Sequence, residues 1–205
     1  MSRPTCIEVS SSARNSAVST DVNTTDTRDV GILVVCTANI CRSVMMQTAL
    51  LAEAAERHLP VEVSSSGFLT NGDRASDAAS AVLAELGHDV GDHRSRITTP
   101  KIVRAADLVV TMERRHGRDI APMTNDRGKV FTLVTAIDLL RAVDTDIGDP
   151  RMRIAAASRA RSDDDLVGTG PDEIDDPFGK SLDVNRATAL RLAGLSGELL
   201  DALFP

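Results

Sequence analysis

The chain has no tryptophan and no tyrosine, and only 4 phenylalanines among its 205 residues. A cleft that grips an aromatic ring must therefore draw on phenylalanine alone. Cysteine is also scarce. Its 3 copies, two of them in one short stretch, form no disulfide framework, and this predicts a reducing, cytoplasmic setting. Basic charge is not in excess: 23 Lys and Arg against 30 Asp and Glu leave a formal charge of −7. A nucleic-acid-binding surface normally shows a basic face, so no nucleic acid is expected as partner. No apolar run approaches the roughly 18 residues of a membrane span, and no hydrophobic signal-peptide core stands near Met1, so neither a membrane partner nor secretion by that route is expected.

What remains is a chain with 42% hydrophobic residues, long enough for one sizeable core. Residues 1–28 are crowded with Ser, Thr, Asn and Asp and lack apolar periodicity, which predicts a disordered tail carrying Cys6. Residues 29–205 read as one domain. Short β-rich runs at 30–35, 61–65, 108–112 and 129–133 alternate with helical patterns at 44–58, 75–86, 100–105, 113–120, 135–142 and 182–203. This is the pattern of an α/β fold, a parallel sheet with helices on both faces and its ligand site outside the strand carboxyl ends. Residues 143–173 read as an insertion: a short helix at 152–161, then Asp163-Asp164-Asp165 and Gly168-Thr169-Gly170 as loop.

One stretch carries chemistry. Cys36-Thr37-Ala38-Asn39-Ile40-Cys41-Arg42-Ser43 follows the first strand and runs into the first helix. A strand that stops, loops and enters a helix aims loop amides and the helix N-terminus at one spot, which suits an oxyanion such as phosphate. The same field favours a thiolate at Cys36 over a thiol. A thiolate attacks phosphorus and can be displaced again by water. Arg42 supplies a planar fork matched to two phosphoryl oxygens, the five-residue spacer wraps main-chain N–H groups round the anion, and Ser43 can donate to the sulfur.

The leaving oxygen needs a proton donor, and the attacking water then needs a base. Asp172-Glu173-Ile174-Asp175-Asp176-Pro177 offers several carboxylates, and spacing alone does not choose among them; for most, a solvated acidic loop is the simpler reading. Asp176 stands out because the following proline biases it toward extended backbone, with Asp175 as the alternative. His58, His88 and His116 lack ligand spacing, so no metal and no organic cofactor is assigned. Asp107, Arg114 and Arg115 read as strand-start and helix-face residues.

At these residues the chain resembles the low-molecular-weight protein tyrosine phosphatase family, whose loop reads V-C-x-G-N-x-C-R-S-P. The likeness continues in Ser65-Ser66-Gly67, His93-Arg94-Ser95-Arg96, Ala106-Asp107-Leu108-Val109-Val110-Thr111-Met112 and Asp176-Pro177-Phe178-Gly179. It implies a four-stranded parallel sheet, a phosphocysteine intermediate on Cys36, Asp176 as the acid, and Thr37, Ala38, Asn39, Ile40, Cys41 and Ser43 around the phosphoryl group. It also implies a supporting network of Asn39 with Ser43, Ser65 and His93, and a Cys36–Cys41 disulfide under oxidation, against which stands the plainer reading of Cys41 as a small packed residue. Two departures bear on the loop. Ala38 replaces a glycine, which costs stability if position 38 needs positive φ, and Val44 replaces a proline.

Phe178 and Phe68 are expected to wall the cleft. Phe178 and Gly179 after Asp176-Pro177 also look like the protein-arginine phosphatase branch, but that branch has threonine where Ile40 stands, which favours an aryl phosphate. Arsenate reductases of related fold need downstream cysteines, and none follows Cys41. The implied partner is a phosphotyrosine-bearing protein, with a bacterial tyrosine kinase as one candidate. The competing reading is a phosphate-binding module that has lost turnover, motivated by Ala38, Val44 and the missing aromatic walls.

Overall fold

The computed structural model describes residues 28–205, so the tail read at 1–28 lies, but for Arg28, outside the described residues. Four strands form one parallel sheet: β1 (Val30–Val35), β2 (Val61–Ser66), β3 (Leu108–Thr111) and β4 (Val130–Thr132), in the order β2-β1-β3-β4. The helices are α1 (Arg42–Glu56), α2 (Asp77–Glu85), α3 (Pro100–Ala105), α4 (Arg114–Ile120), α5 (Leu133–Arg141), α6 (Pro150–Ala160) and α7 (Leu182–Leu203).

Alternation along the strands explains the layers. Val30, Ile32 and Val34 of β1 join the larger core with Met45, Met46 and Leu50 of α1 and Leu192 and Leu199 of α7. Leu33 and Val35 face the other way, onto Val103 of α3 and Ile120 of α4. Side chains at successive strand positions point to opposite faces, so a run apolar at every position is a strand covered on both.

The fourth strand is shorter than the apolar pattern 129–133 suggests. Thr132 is the residue before α5, and its hydroxyl bonds Thr135 Oγ1 at 2.8 Å and Asp172 Oδ2 at 2.6 Å. The chain enters α5 at Leu133, two residues ahead of the helical pattern read at 135–142.

Residues 143–173 are tied into the fold at several points. Ile154 and Ala157 of α6 lie in the larger core. Arg153 is 2% exposed and donates to five backbone carbonyls, those of Leu140, Val143, Asp144, Ile147 and Ala202. One guanidinium thus satisfies orphan acceptors at the ends of two helices, which is where cations are stabilising. The stretch around Gly168 is held from α4: Arg114 donates to Val167 O, and Arg118 to Leu166 O and Gly168 O.

Strand β1 lies between β2 and β3, and the chain crosses from one side of it to the other. The crevice at its carboxyl end is where an open α/β sheet takes a ligand. Cys36 follows Val35 there, its N–H donating to Ser66 O at 3.3 Å.

Candidate active site

The loop between β1 and α1 is shaped by what holds its carbonyls. Thr37 O accepts from Phe68 N and Leu69 N, Ala38 O from Thr70 Oγ1, Asn39 O from His93 Nε2, Ile40 O from Ser76 N, and Cys41 O from Val44 N and Met45 N. Across a trans peptide the C=O of one residue and the N–H of the next point in opposite directions, and no peptide here is cis. With these carbonyls engaged outward, the N–H groups of residues 38–42 turn toward the interior of the loop. The result is a cup of main-chain donors.

Asn39 is the residue in the left-handed region, at φ 57. Position 38 does not need positive φ, so the alanine there carries no backbone penalty. Val44 is equally harmless: it is buried, and its N–H bonds Cys41 O at 3.0 Å. Glycine matters instead at position 67. A Cβ there would stand 2.7 Å from Asn39 N and 2.8 Å from the Ala38 carbonyl carbon, so any side chain would push the loop out of shape.

Behind the cup, Asn39 Nδ2 donates to Ser65 Oγ at 2.8 Å and to Ser43 Oγ at 3.0 Å, while Asn39 Oδ1 accepts from Arg96 N at 3.0 Å. Ser43 Oγ is 3.0 Å from Cys36 Sγ. Having accepted from Asn39, the hydroxyl has its own proton to direct at the sulfur. His93 Nε2 faces a carbonyl, so it carries hydrogen and braces the loop from outside.

The sulfur of Cys36 and the guanidinium of Arg42 share one cleft of about 230 Å³ with Thr37, Ala38, Ile40, Cys41, Leu69, Thr70, Asp176 and Phe178. Arg42 is 1% exposed. Its Nη1 donates to Glu113 Oε1 and Ile174 O, each at 2.7 Å, and its Nη2 to Thr37 Oγ1 at 3.2 Å, with Asp176 Oδ2 at 3.1 Å. Arg42 Nε is buried and meets no acceptor. A buried N–H without a partner in an anion cup is what an oxyanion would satisfy.

The structure brings Asp176 to the mouth of the cup, its side chain 45% exposed and its Oδ1 accepting from Phe178 N at 3.3 Å. The residues before it are anchors, contrary to the solvated loop expected. Asp172 is buried and accepts from Arg114 Nε and Thr132 Oγ1; burial opposes its charge, but these donors outweigh that and hold its pKa below the ordinary range. Glu173 accepts from Arg114 N, and Ile174 N donates to Met112 O. Asp175 is exposed.

Two expectations about nearby residues are corrected. Phe68 does not wall the cleft: it stacks on His116, with ring centroids 5.7 Å apart, and Leu69, 68% exposed, lines the cleft instead. Residues 68 and 69 form a bend whose two N–H groups both bond Thr37 O, and there the aromatic goes inward and the leucine outward. Arg114 and Arg115 are not plain helix-face residues either, since Arg114 clamps Asp172 and Arg115 Nη2 reaches Thr37 Oγ1 at 2.9 Å.

Three further residues left no sequence signal. Glu113 steadies Arg42 and Arg115; burial works against its charge, but hydrogen bonds from Arg115 and Arg42 outweigh it and bring its pKa down to about 2. Asn185 of α7 donates to Pro177 O and accepts from Cys41 Sγ, joining the Asp176 loop to the cup. Cys41 itself is a free cysteine whose burial, only partly offset by a hydrogen bond to Ser76, pushes its pKa up to about 11, so it is a thiol at neutral pH.

The third is His116, whose burial brings its pKa down to about 4. The unfolded chain takes up this proton first, near pH 6.5, so the contribution to stability is full above that value and shrinks as pH falls toward 4. The loss reaches on the order of 3 kcal/mol. Urea midpoints at pH 7.5, 5.5 and 4.5 should fall in that order, and a His116→Phe chain should show a flatter slope. An unchanged midpoint across the series contradicts this assignment.

The model of the low molecular weight phosphotyrosine protein phosphatase family matches residues 31–161. A probable low molecular weight protein-tyrosine-phosphatase EpsP from Ralstonia solanacearum is 42% identical over 105 residues, 50% of this chain and 69% of that one. The protein-arginine-phosphatase of Bacillus subtilis is 40% identical over 105 residues, again 50% and 69%. Among solved structures, a cysteine-to-serine mutant of the YwlE arginine phosphatase with a phosphorylated active-site serine superposes with a TM-score of 0.65 at 27% identity, covering 84% of this chain and 94% of the other. With the cup, sulfur, guanidinium and carboxylate in place at the end of β1, the chain belongs to the low molecular weight phosphotyrosine protein phosphatase family.

Proposed function

We propose that the chain hydrolyses phosphotyrosine in proteins through a phosphocysteine intermediate. Arg42 and the inward N–H groups of residues 38–42 bind the non-bridging oxygens. The Cys36 thiolate attacks phosphorus while the bond to the tyrosine oxygen breaks, and Asp176 gives that oxygen its proton. Water then attacks phosphorus and passes a proton to the Asp176 carboxylate. The sulfur–phosphorus bond breaks, the thiolate returns with Ser43 donating to it, and inorganic phosphate leaves. The observation that carries this reading is the engagement of five successive loop carbonyls outward around a sulfur 3.0 Å from Ser43 Oγ, with Arg42 buried alongside.

The apolar walls supplied by Ile40, Leu69 and Phe178 support an aryl group over a guanidinium. A phosphoarginine head brings several N–H donors, and an isoleucine wall gives them nothing to bond. Phosphotyrosine-bearing proteins, a bacterial tyrosine kinase among them, are the substrates this reading favours. The test is hydrolysis of para-nitrophenyl phosphate followed by matched phosphotyrosine and phosphoarginine peptides. Turnover with phosphotyrosine ahead supports the proposal; phosphoarginine ahead moves the chain to the other branch, and binding without turnover makes it a phosphate-binding module.

A further inference from the structure

Three nitrogens converge on Thr37 Oγ1: Arg42 Nη2 at 3.2 Å, Arg115 Nη2 at 2.9 Å and His116 Nε2 at 3.0 Å. A hydroxyl offers two lone pairs and one proton, and guanidinium nitrogens only donate. The two arginines therefore use both lone pairs. The hydroxyl proton then has His116 Nε2 as its remaining partner, which makes Nε2 the acceptor and puts the ring hydrogen on Nδ1. The opposite tautomer would aim three donors at two lone pairs.

This arrangement has a cost that the fold tolerates. His116 Nδ1 is buried and meets no partner, and an unpaired buried N–H is unfavourable. The ring is 1% exposed and covered by Phe68. Glu113 Oε1 stands 3.8 Å from Nε2, and the charges of Arg42, Arg115 and Glu113 surround it. Burial outweighs the pull of Glu113 and keeps the imidazole neutral, so Nε2 remains an acceptor at neutral pH. A histidine that only filled space would have no reason to face the one hydroxyl on which both guanidiniums meet.

We propose that His116 is a positioning residue: by taking the hydroxyl proton of Thr37, it turns both lone pairs of Oγ1 toward Arg42 and Arg115 and so sets where the two cations stand at the cleft. Arg115, half-exposed and held on its other side by Glu113, becomes through Thr37 a second guanidinium at the mouth. The inference rests on the phosphatase reading for the use Arg42 is put to.

The experiment is a double-variant cycle in the full chain with Thr37→Val, His116→Phe, both together, and Thr37→Ser. It is read as kcat and KM for para-nitrophenyl phosphate and as competitive inhibition by inorganic phosphate. Each single variant is expected to lose about tenfold in kcat/KM and in phosphate affinity, the scale of one hydrogen bond to a charged group. The double variant should lose no more than the worse single, because both changes remove one relay, and Thr37→Ser should recover most of the loss. Losses that multiply in the double variant, or a Thr37→Val chain that matches the unaltered one, overturn the proposal. If His116→Phe does not fold, His116→Gln replaces it, with an amide oxygen for Thr37 to donate to. A value nearer the unaltered chain than Thr37→Val supports the relay, and an equal loss overturns it. If the unaltered chain binds phosphate without hydrolysis, the phosphatase reading fails, and the same cycle decides the relay on phosphate affinity alone.

Discussion

Cys36→Ser is expected to lower kcat by more than about 10⁴-fold, since the nucleophile is the one group without which no covalent step occurs. Serine keeps the size of the side chain and its place beside Ser43, so the fold and the affinity for inorganic phosphate should change little. A hydroxyl is a far weaker nucleophile than a thiolate and a far poorer leaving group. Any phosphoryl group that does reach the substituted hydroxyl in this variant should stay there, because the serine oxygen is the poorer leaving group. The measurements are steady-state hydrolysis and intact mass after incubation with a phosphotyrosine peptide. Residual activity within tenfold of the unaltered chain would place the reacting sulfur elsewhere and remove Cys36 from the mechanism.

The second large effect is at Asp176. Loss of a general acid typically costs about 10²–10⁴-fold in rate, and the cost depends on how much the leaving oxygen needs its proton. A tyrosine phenolate is the conjugate base of a group with a pKa of about 10, so Asp176→Asn should fall toward the upper end with phosphotyrosine. The less basic para-nitrophenolate leaves more easily and should suffer less. KM should move little, because the role proposed for Asp176 is on the departing oxygen and Arg42 keeps its bonds to Glu113 and Ile174 O. Asp175→Asn provides the comparison. If it shows the larger loss, with the same dependence on the leaving group, the acid is Asp175 and the loop has been assigned one residue out.

Much of this architecture is written locally. The run Val30–Val35 is apolar at every position and stops at a cysteine, and covered parallel strands look like that because both faces are buried. The cup was legible for the same reason: strand, loop, arginine and helix are contiguous, so Cys36, Arg42 and Ser43 needed no long-range information to be found. Glu113 is different. It stands 71 residues from Arg42, and only the return of the chain along β3 brings it to the loop. The same holds for Asn185 with Cys41, 144 residues apart. Side chains of this kind have no period and no neighbouring motif to betray them.

The misreading at Phe68 has another cause. Size and aromaticity ranked it above Leu69 as a wall, but which of two adjacent residues faces a cleft is decided by the backbone. Here both N–H groups are fastened to Thr37 O, and the ring falls on the His116 side. Arg153 shows the limit from the opposite direction. In sequence it is one basic residue in a polar-looking segment; in the fold it is enclosed and answers carbonyls from two separate stretches of chain, residues 140–147 and Ala202.

Helix α7 is synthesised after every other part of the site, yet Asn185 on its first turns fastens Pro177 O and faces Cys41. A nascent chain that has already made the anion cup still lacks the brace between the Asp176 loop and the cup until that helix has left the ribosome and docked on α1. Products of premature termination ahead of Asn185 would therefore expose the apolar face of α1 to chaperones and proteases.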